Sequence, residues 1–370
     1  MAGANFATGG PKAAARSSGA TGNAVNAGER EDLANFISMI SRDETPFLSS
    51  IGKTKATAVF HEWQTDELSV PVSSPVAEGV SYATQAAAQA AEPFRTRLGN
   101  YTQINSKTVT VTGTKRAVDQ AGVADEYAYQ LKKRGTELRR DVEFDLVQGW
   151  KNSNGSGTRT FGGYQAWVNY TAATNTPATA FHVSSATYVA PTNPGGGTCG
   201  TFSTATSAAT VSLTLSHVDN AMQAVYENGG KATKLMLSPA NRRVFSAKAQ
   251  SAGSGTSNAG DGNVRRNVDT DGKLRQSVEI YMSDFGDIMV VPNYVMGISN
   301  LAPITNLTNA ANFSAFVFDP MWFSYASLRP MQEVDLGQLG DSIIGQIVEE
   351  GTLECRNPKG AAMIFGLSGA

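Results

Sequence analysis

The sequence predicts an α+β fold in four parts: an N-terminal arm, a projecting β-hairpin, a long helix and an α/β lobe. Three observations predict it. Met1 to Gly28 is Gly, Ala, Ser and Asn without an apolar period, residues 58–64 and 101–112 are rich in β-branched and aromatic residues with partial alternation, and residues 118–151 carry apolar side chains at helical spacing.

The arm comes first. Its composition cannot bury enough surface to offset the entropy of ordering the chain, so it is not expected to fold alone. The two extended segments follow, flanking Pro71, Pro75, Gly79 and an Ala/Gln tract, and are read as the arms of one long hairpin. A compact globule of this length has a radius of gyration of about 21 Å, whereas about 20 extended residues reach about 65 Å. The hairpin must therefore project. An isolated two-stranded ribbon is marginal in water, so Val59, Phe60, Trp63, Val70, Val72, Phe94 and Tyr101 are expected to need cover from another copy.

After Gly113 the period becomes helical. Tyr127, Leu131, Leu138, Val142, Leu146 and Trp150 share a face, while Lys133/Glu137 and Arg139/Glu143 stand as i,i+4 pairs. One helix from Val118 to Lys151 would measure about 50 Å. Because acidic residues interleave with Lys132, Lys133, Arg134, Arg139 and Arg140, that face reads as solvated rather than as a nucleic-acid footprint.

From Leu146 to Val218 there is no Asp or Glu, and Thr, Ala, Gly, Ser and Asn dominate 152–209. This reads as a packed surface flap anchored by Trp167-Val168, Phe181-His182-Val183 and Tyr188-Val189. An α/β lobe begins at Ser216, whose spacing to Asp219 resembles a capping box, with Val218, Ala221, Met222 and Val225 on one apolar face and Gly229-Gly230 as a stop. Lys234–Leu237 reads as a strand and Ser238-Pro239 as cap and first turn of a second helix. Residues 278–282 and 288–291 form a hairpin, and 313–318 a further strand.

The order arm, hairpin, long helix resembles the major capsid proteins of tailed bacteriophages, which share the Hong Kong 97-type fold. TPFLSSIGK at 45–53, HEWQTDEL at 61–68, RTRLGNYTQI at 95–104 and DEYAYQLKKRGTELRRDVE at 125–143 resemble the signatures of one branch. So do SDFGDIMVVPN at 283–293, Asp319-Pro320 before MWFSYASLRP, and GTLECRNPKGAAMIFGL at 351–367. The resemblance implies an N-terminal arm over 1–55, an extended loop over 56–106, a peripheral domain with its spine helix over 107–152, and the Thr/Gly-rich insert over 153–210. It also implies an axial domain over 211–350 and closing strands over 351–370, in the axial or the peripheral sheet. Hexamers and pentamers on an icosahedral lattice around double-stranded DNA are the implied assembly.

Several motifs fail as sites. Ile51-Gly-Lys-Thr54 has Phe47 where a phosphate loop needs glycine, and Gly195–Gly200 spells GxGxxG without a strand before it or a helix after it. Asp284-Phe-Gly286 lacks a catalytic loop. Asp269–Gly272 lacks the sixth-position glycine (Leu274) and twelfth-position glutamate (Ile280) of a calcium loop. His61, His182 and His217 show no ligand spacing, and no G-x-S-x-G elbow occurs. No catalytic residue, metal or cofactor is therefore expected. Arg242/Arg243 and Arg265/Arg266 are basic pairs, but a net charge of −2 offers packaged DNA only weak, non-specific contacts.

Charged residues are 17% of the chain, below the usual quarter, so less surface is reserved for water. Cys199 and Cys355 are too few for a disulfide framework and fit a reducing cytoplasm; the resemblance implies assembly in the host cytoplasm. No signal-peptide pattern or 18-residue apolar run is present, against a secreted adhesin-like rival and against a membrane partner. Glu62, Glu67, Glu78, Arg95 and Arg97 are the expected charged subunit contacts on the loop, and Trp63 the expected apolar anchor. No lysine lies between Lys55 and Lys107, so no lysine isopeptide cross-link through the loop is expected. Further expected partners are a separate scaffolding protein, a portal and decoration or cement proteins.

Overall fold

The computed structural model describes residues 40–66, 68, 71, 73, 75–81, 95–118, 122–149, 158–168, 180–182, 213–250, 278–297, 315–338, 340–365 and 367. The chain divides into one unit of Met1–Met39 with Asp119–Ala124 and a second of Ile40–Val118 with Asp125–Ala370.

Two sheets organise the second unit. A four-stranded sheet has the order β1 (Gly52–Lys55), β10 (Phe323–Gln338), β11 (Ser342–Cys355), β4 (Gln103–Thr112). A six-stranded sheet has the order β5 (Ala180–His182), β12 (Ala362–Phe365), β9 (Ala315–Phe318), β6 (Lys234–Leu237), β8 (Gly286–Pro292), β7 (Ile280–Ser283). A separate antiparallel ribbon pairs β2 (Phe60–Thr65) with β3 (Thr96–Tyr101). The helices are α1 (Pro46–Ser50), α2 (Gly113–Ala117), α3 (Glu126–Gln148), α4 (Tyr164–Val168), α5 (Leu215–Glu227) and α6 (Pro239–Gln250).

The middle of the six-stranded sheet, β12, β9 and β6, is buried on both faces, and alternate residues enter different cores. Met236, Phe316, Phe318 and Met363 point into one core with Phe47, Leu146, Tyr164 and Phe323. Leu235, Leu237, Val317, Ala362 and Ile364 point into the other, under Val218, Met222, Val225 and Phe245 of α5 and α6. In the first core Tyr164 stacks on Phe316 at 4.2 Å, and its hydroxyl donates to the carbonyls of Ala362 at 2.9 Å and Val317 at 3.2 Å. Burial drives its phenol well above the usual range.

Several expectations change. The long helix starts at Glu126, not Val118: the Asp125 carboxylate caps it by accepting from Tyr127 N at 3.0 Å. Its 23 residues span about 35 Å. Trp150 lies outside the described residues. Glu143, expected in a surface pair with Arg139, is fully buried, and Arg134 rather than Lys133 pairs with Glu137, at 2.6 Å. Residues 103–112, read as a hairpin arm, pair instead with β11, from Gln103↔Gly351 to Thr112↔Ser342. Their alternation marks two faces, of which Val109 and Val111 are the buried one, but it does not name the partner strand. Residues 323–350, placed within the axial lobe, lie in the same four-stranded sheet. The closing segment is split: residues up to Cys355 finish β11, while β12 joins β9 and β5.

Part of the expected flap is core. Phe161, Tyr164, Trp167 and Val168 are at most 2% exposed, and Phe181-His182 belong to β5; Tyr188-Val189 and the expected arm up to Met39 lie outside the described residues. The α5 start falls at Leu215, where His217 Nδ1 accepts from Thr214 N at 3.2 Å.

Candidate functional site

The ribbon is the element with no sheet of its own, and its sequence explains its two faces. In the register Phe60↔Tyr101, His61↔Asn100, Glu62↔Gly99, Trp63↔Leu98, Gln64↔Arg97, Thr65↔Thr96, directly opposed residues share a face. Trp63, Leu98, His61 and Asn100 turn toward the protein, and Glu62, Gln64 and Arg97 toward solvent. On the outer face Phe60 meets Tyr101 with ring centroids 4.7 Å apart. Phe60 also covers Gly99, where an added Cβ would sit 2.5 Å from its ring, so a larger residue there would displace the Phe60 ring.

The inner face is fixed at its root. Asn100, fully buried, donates through Nδ2 to the carbonyls of Leu353 at 2.8 Å and Gly162 at 3.0 Å, and its Oδ1 accepts from Gly162 N at 3.0 Å. Trp63 donates its indole N–H to the Cys355 carbonyl at 2.9 Å and lies against Trp167, centroids 5.2 Å apart. Thr102 marks the break between β3 and β4, its N–H donating to Val59 O at 2.8 Å and its hydroxyl to Glu350 at 2.8 Å. Glu350 is also held by Arg159 at 2.6 Å and Arg329 at 2.8 Å. Two positive charges thus compensate one nearly buried carboxylate.

Glu354 forms the second clamp. It joins His61 at 3.5 Å, Arg356 at 2.9 Å and the Thr54 hydroxyl at 3.0 Å, tying ribbon, β11 and β1. His61, against the cost of burial, with Arg356 and Thr54, pulls its carboxyl from 4.5 to about 2. A depressed folded-state value stabilises above the unfolded value, and that contribution disappears as pH falls from 4.5 through 2. Unassembled subunits should therefore lose about 1–2 kcal/mol over that window, after allowance for solvent screening. Chemical denaturation at stepped pH checks this: Glu354→Gln should be less stable near neutrality with a flatter acid limb, and an acid limb unchanged from wild type would contradict it.

The expected contact residues are dispersed along this ribbon. Glu62 lies 3.8 Å from Arg97, and Arg95 3.3 Å from Asp66. Both pairs are exposed and worth little within one chain. Glu78 sits at an exposed turn, Glu67 lies outside the described residues, and Trp63, half-buried, packs against its own chain's core. Asn100, Arg159, Glu350 and Glu354 were not foreseen, because none stands in a local pattern that announces a distant partner.

Among the described residues no group of three His, Cys, Asp or Glu could hold a metal ion, and no helix is long and apolar enough to cross a membrane.

A family model described as SU10 major capsid protein matches residues 16–368. The major capsid protein of Escherichia phage Phieco32 is 36% identical over 124 residues, covering 33% of this chain and 34% of that protein; the match thus spans about a third of that relative. The capsid of a native GTA particle shares the fold with a TM-score of 0.54 at 12% identity, over 94% of this chain and 100% of that one. The capsid of the cyanophage P-SCSP1u does so with 0.52 at 13% identity, over 93% and 95%.

Proposed function

We propose, because this chain belongs to the SU10 major capsid protein family, that many copies of it close into the icosahedral shell of a tailed phage around its double-stranded DNA. The fold is the Hong Kong 97-type α+β fold that the sequence led one to expect. Within it, the four-stranded sheet with α3 is our peripheral domain and the six-stranded sheet with α5 and α6 our axial domain. Hexamers and pentamers are the capsomers we expect, assembled in the host cytoplasm on a separate scaffold, with a portal and decoration or cement proteins as later partners. Shell building is the whole of the proposed role, with no reaction catalysed.

The observation that carries this reading is the ribbon. Its root is tied to its own chain through Asn100, Trp63 and Glu354, whereas its paired strands end at Thr65 and Thr96 and the chain between them runs on past Glu78. A loop held firmly at its base suits a neighbour's surface. Glu62, Glu67, Glu78, Arg95 and Arg97 on the loop are the proposed charged contacts. Summed over a lattice, burial per subunit should exceed the roughly 2,000 Å² at which ordinary obligate interfaces begin. Negative-stain microscopy of the expressed chain, alone and with its scaffold, should show hollow icosahedral particles; stable monomers under every condition would refute the reading.

A further inference from the structure

In sequence, the charges of α3 alternate: Glu137, Asp141, Glu143 and Asp145 stand among Lys132, Lys133, Arg139 and Arg140. The fold separates them. Glu143 is fully buried and accepts from the first N–H groups of α1. Glu137, Asp141 and Asp145 follow one another at four-residue steps and so form one row along the helix. Each is met within the subunit: Glu137 by Arg134, Asp141 by Lys107, and Asp145 by the amides of Gln103 at 2.7 Å and Asn105 at 3.5 Å. Lys132, Thr136 and Arg139 stand at i, i+4 and i+7, a second row that about 100° per residue places roughly opposite the acidic one. Lys132 and Arg139 are exposed. Lys133 and Arg140 border this row, but Arg140 also lines a cavity with the three acids and is not counted with it.

The four-stranded sheet adds two cations on the same side. Lys53 and Lys55 of β1 are exposed and two residues apart, hence on one face of the strand. Thr54 between them points the other way, to Glu354, which also holds His61 of the ribbon. Burial raises the Glu349 carboxyl above its usual value, and a hydrogen bond with Tyr325 and the nearby charges of Arg139 and Lys53 oppose the rise. Glu349 thus stands close to cations of both helix and strand. None of Lys53, Lys55, Lys132 and Arg139 makes a close ion pair among the described residues. The subunit therefore has a basic face on the side of the sheet turned away from His61 and the ribbon.

We infer that this face, carried by Lys53, Lys55, Lys132 and Arg139, is turned to the inside of the shell and contacts the phosphate backbone of double-stranded DNA without reading its sequence. The inference deepens the shell reading and rests on it. Exposed cations gain little from single surface carboxylates, whereas a duplex offers one phosphate charge per about 1.7 Å and releases counterions at each contact. The net charge of −2 does not oppose this: screening confines the interaction to about 8 Å, and the acids of α3 are buried or paired elsewhere. The ribbon leaves from the other face, so contacts with neighbouring copies and with DNA do not compete.

Fluorescence anisotropy of a labelled random-sequence duplex, titrated with the purified full-length chain over a range of salt, tests the assignment. Lys132→Gln with Arg139→Gln, and separately Lys53→Gln with Lys55→Gln, should each weaken binding about tenfold at about 50 mM salt and lower the slope of log K against log salt by about 1.8. Lys231→Gln with Lys248→Gln, outside this face, removes the same charge and should leave the slope unchanged. Wild-type binding by the patch pairs, an equal loss from the control pair, or a wild type without salt-dependent binding would overturn the assignment. Where one patch pair lowers the melting temperature, the other decides. Particles are scored separately by negative stain: particles without patch-dependent binding overturn this face and leave the shell standing, whereas a wild type that forms none overturns the shell reading and the inward face with it.

Discussion

Replacing residues 66–95 with a two-residue turn should leave a folded subunit that builds no shells. The cut falls where the structure indicates. Thr65 and Thr96 are the last paired residues of the ribbon, so two residues can join them as a hairpin, and every described tie to the body is kept: Trp63 to Cys355, Asn100 to Leu353, Glu354 to His61. A wider cut over the whole expected loop, 56–106, would be uninformative. It would remove Leu98 and Asn100 from the interior and the first four residues of β4 from their pairing with β11, and failure to assemble would then report only failure to fold. With the narrower cut, the melting temperature should stay near that of the wild-type subunit while particles disappear, a loss of more than about a hundredfold in yield if each subunit forfeits even about 3 kcal/mol of contact. Particles of normal size would show that the shell is held by other surfaces.

Glu143→Ala should be the most damaging single change to the subunit itself. The short helix α1 has Pro46 in its first turn and Thr45 before it, whose side chain makes no capping bond. Its first N–H groups are met instead by a carboxylate 96 residues away in sequence: Glu143 accepts from Phe47 N at 2.8 Å and Leu48 N at 2.7 Å, and from Asn293 Nδ2 at 2.7 Å. Burial raises the Glu143 carboxyl above its usual value, while Leu48, Phe47 and Asn293 oppose the rise. Truncation would orphan three donors, two buried and the Leu48 N–H partly so, each costing about 1–3 kcal/mol, so a destabilisation of about 3–5 kcal/mol is expected by urea denaturation. Glu143→Gln keeps one acceptor oxygen and should cost about 1–2 kcal/mol. Equal losses from both would mean that packing, not acceptance of hydrogen bonds, is what Glu143 supplies.

Glu143 also shows where sequence reading stops. Its spacing from Arg139 is that of a solvated helix pair, and nothing within the helix reveals that α1 will arrive on that side. By contrast, the strands at 234–237, 280–283 and 315–318 and the helix after Ser238-Pro239 were legible because local chemistry decides them: short apolar runs bounded by turn residues, β-branched or aromatic in the last two, and a cap whose Ser238 hydroxyl accepts from Asn241 N at 3.3 Å. Residues 107–112 were legible as a strand and misread as to partner, since alternation specifies faces and not neighbours. The same limit applies to the candidate site. Glu62, Arg95 and Arg97 could be identified as exposed ribbon charges from sequence, but the inward roles of Trp63 and Asn100 depend on the carbonyls of β11 and the 158–168 segment, which come together only in the folded chain.

The division of β9 and β12 between two interiors limits how this chain can change over time. Inserting or deleting a single residue within β9 would turn the residues beyond the change, such as Phe318, to the side that accommodates Val317, and within β12 it would do the same to Met363 or Ile364. Length changes are therefore tolerated better in the connecting segments, and an engineer adding a peptide tag should avoid these strands for the same reason.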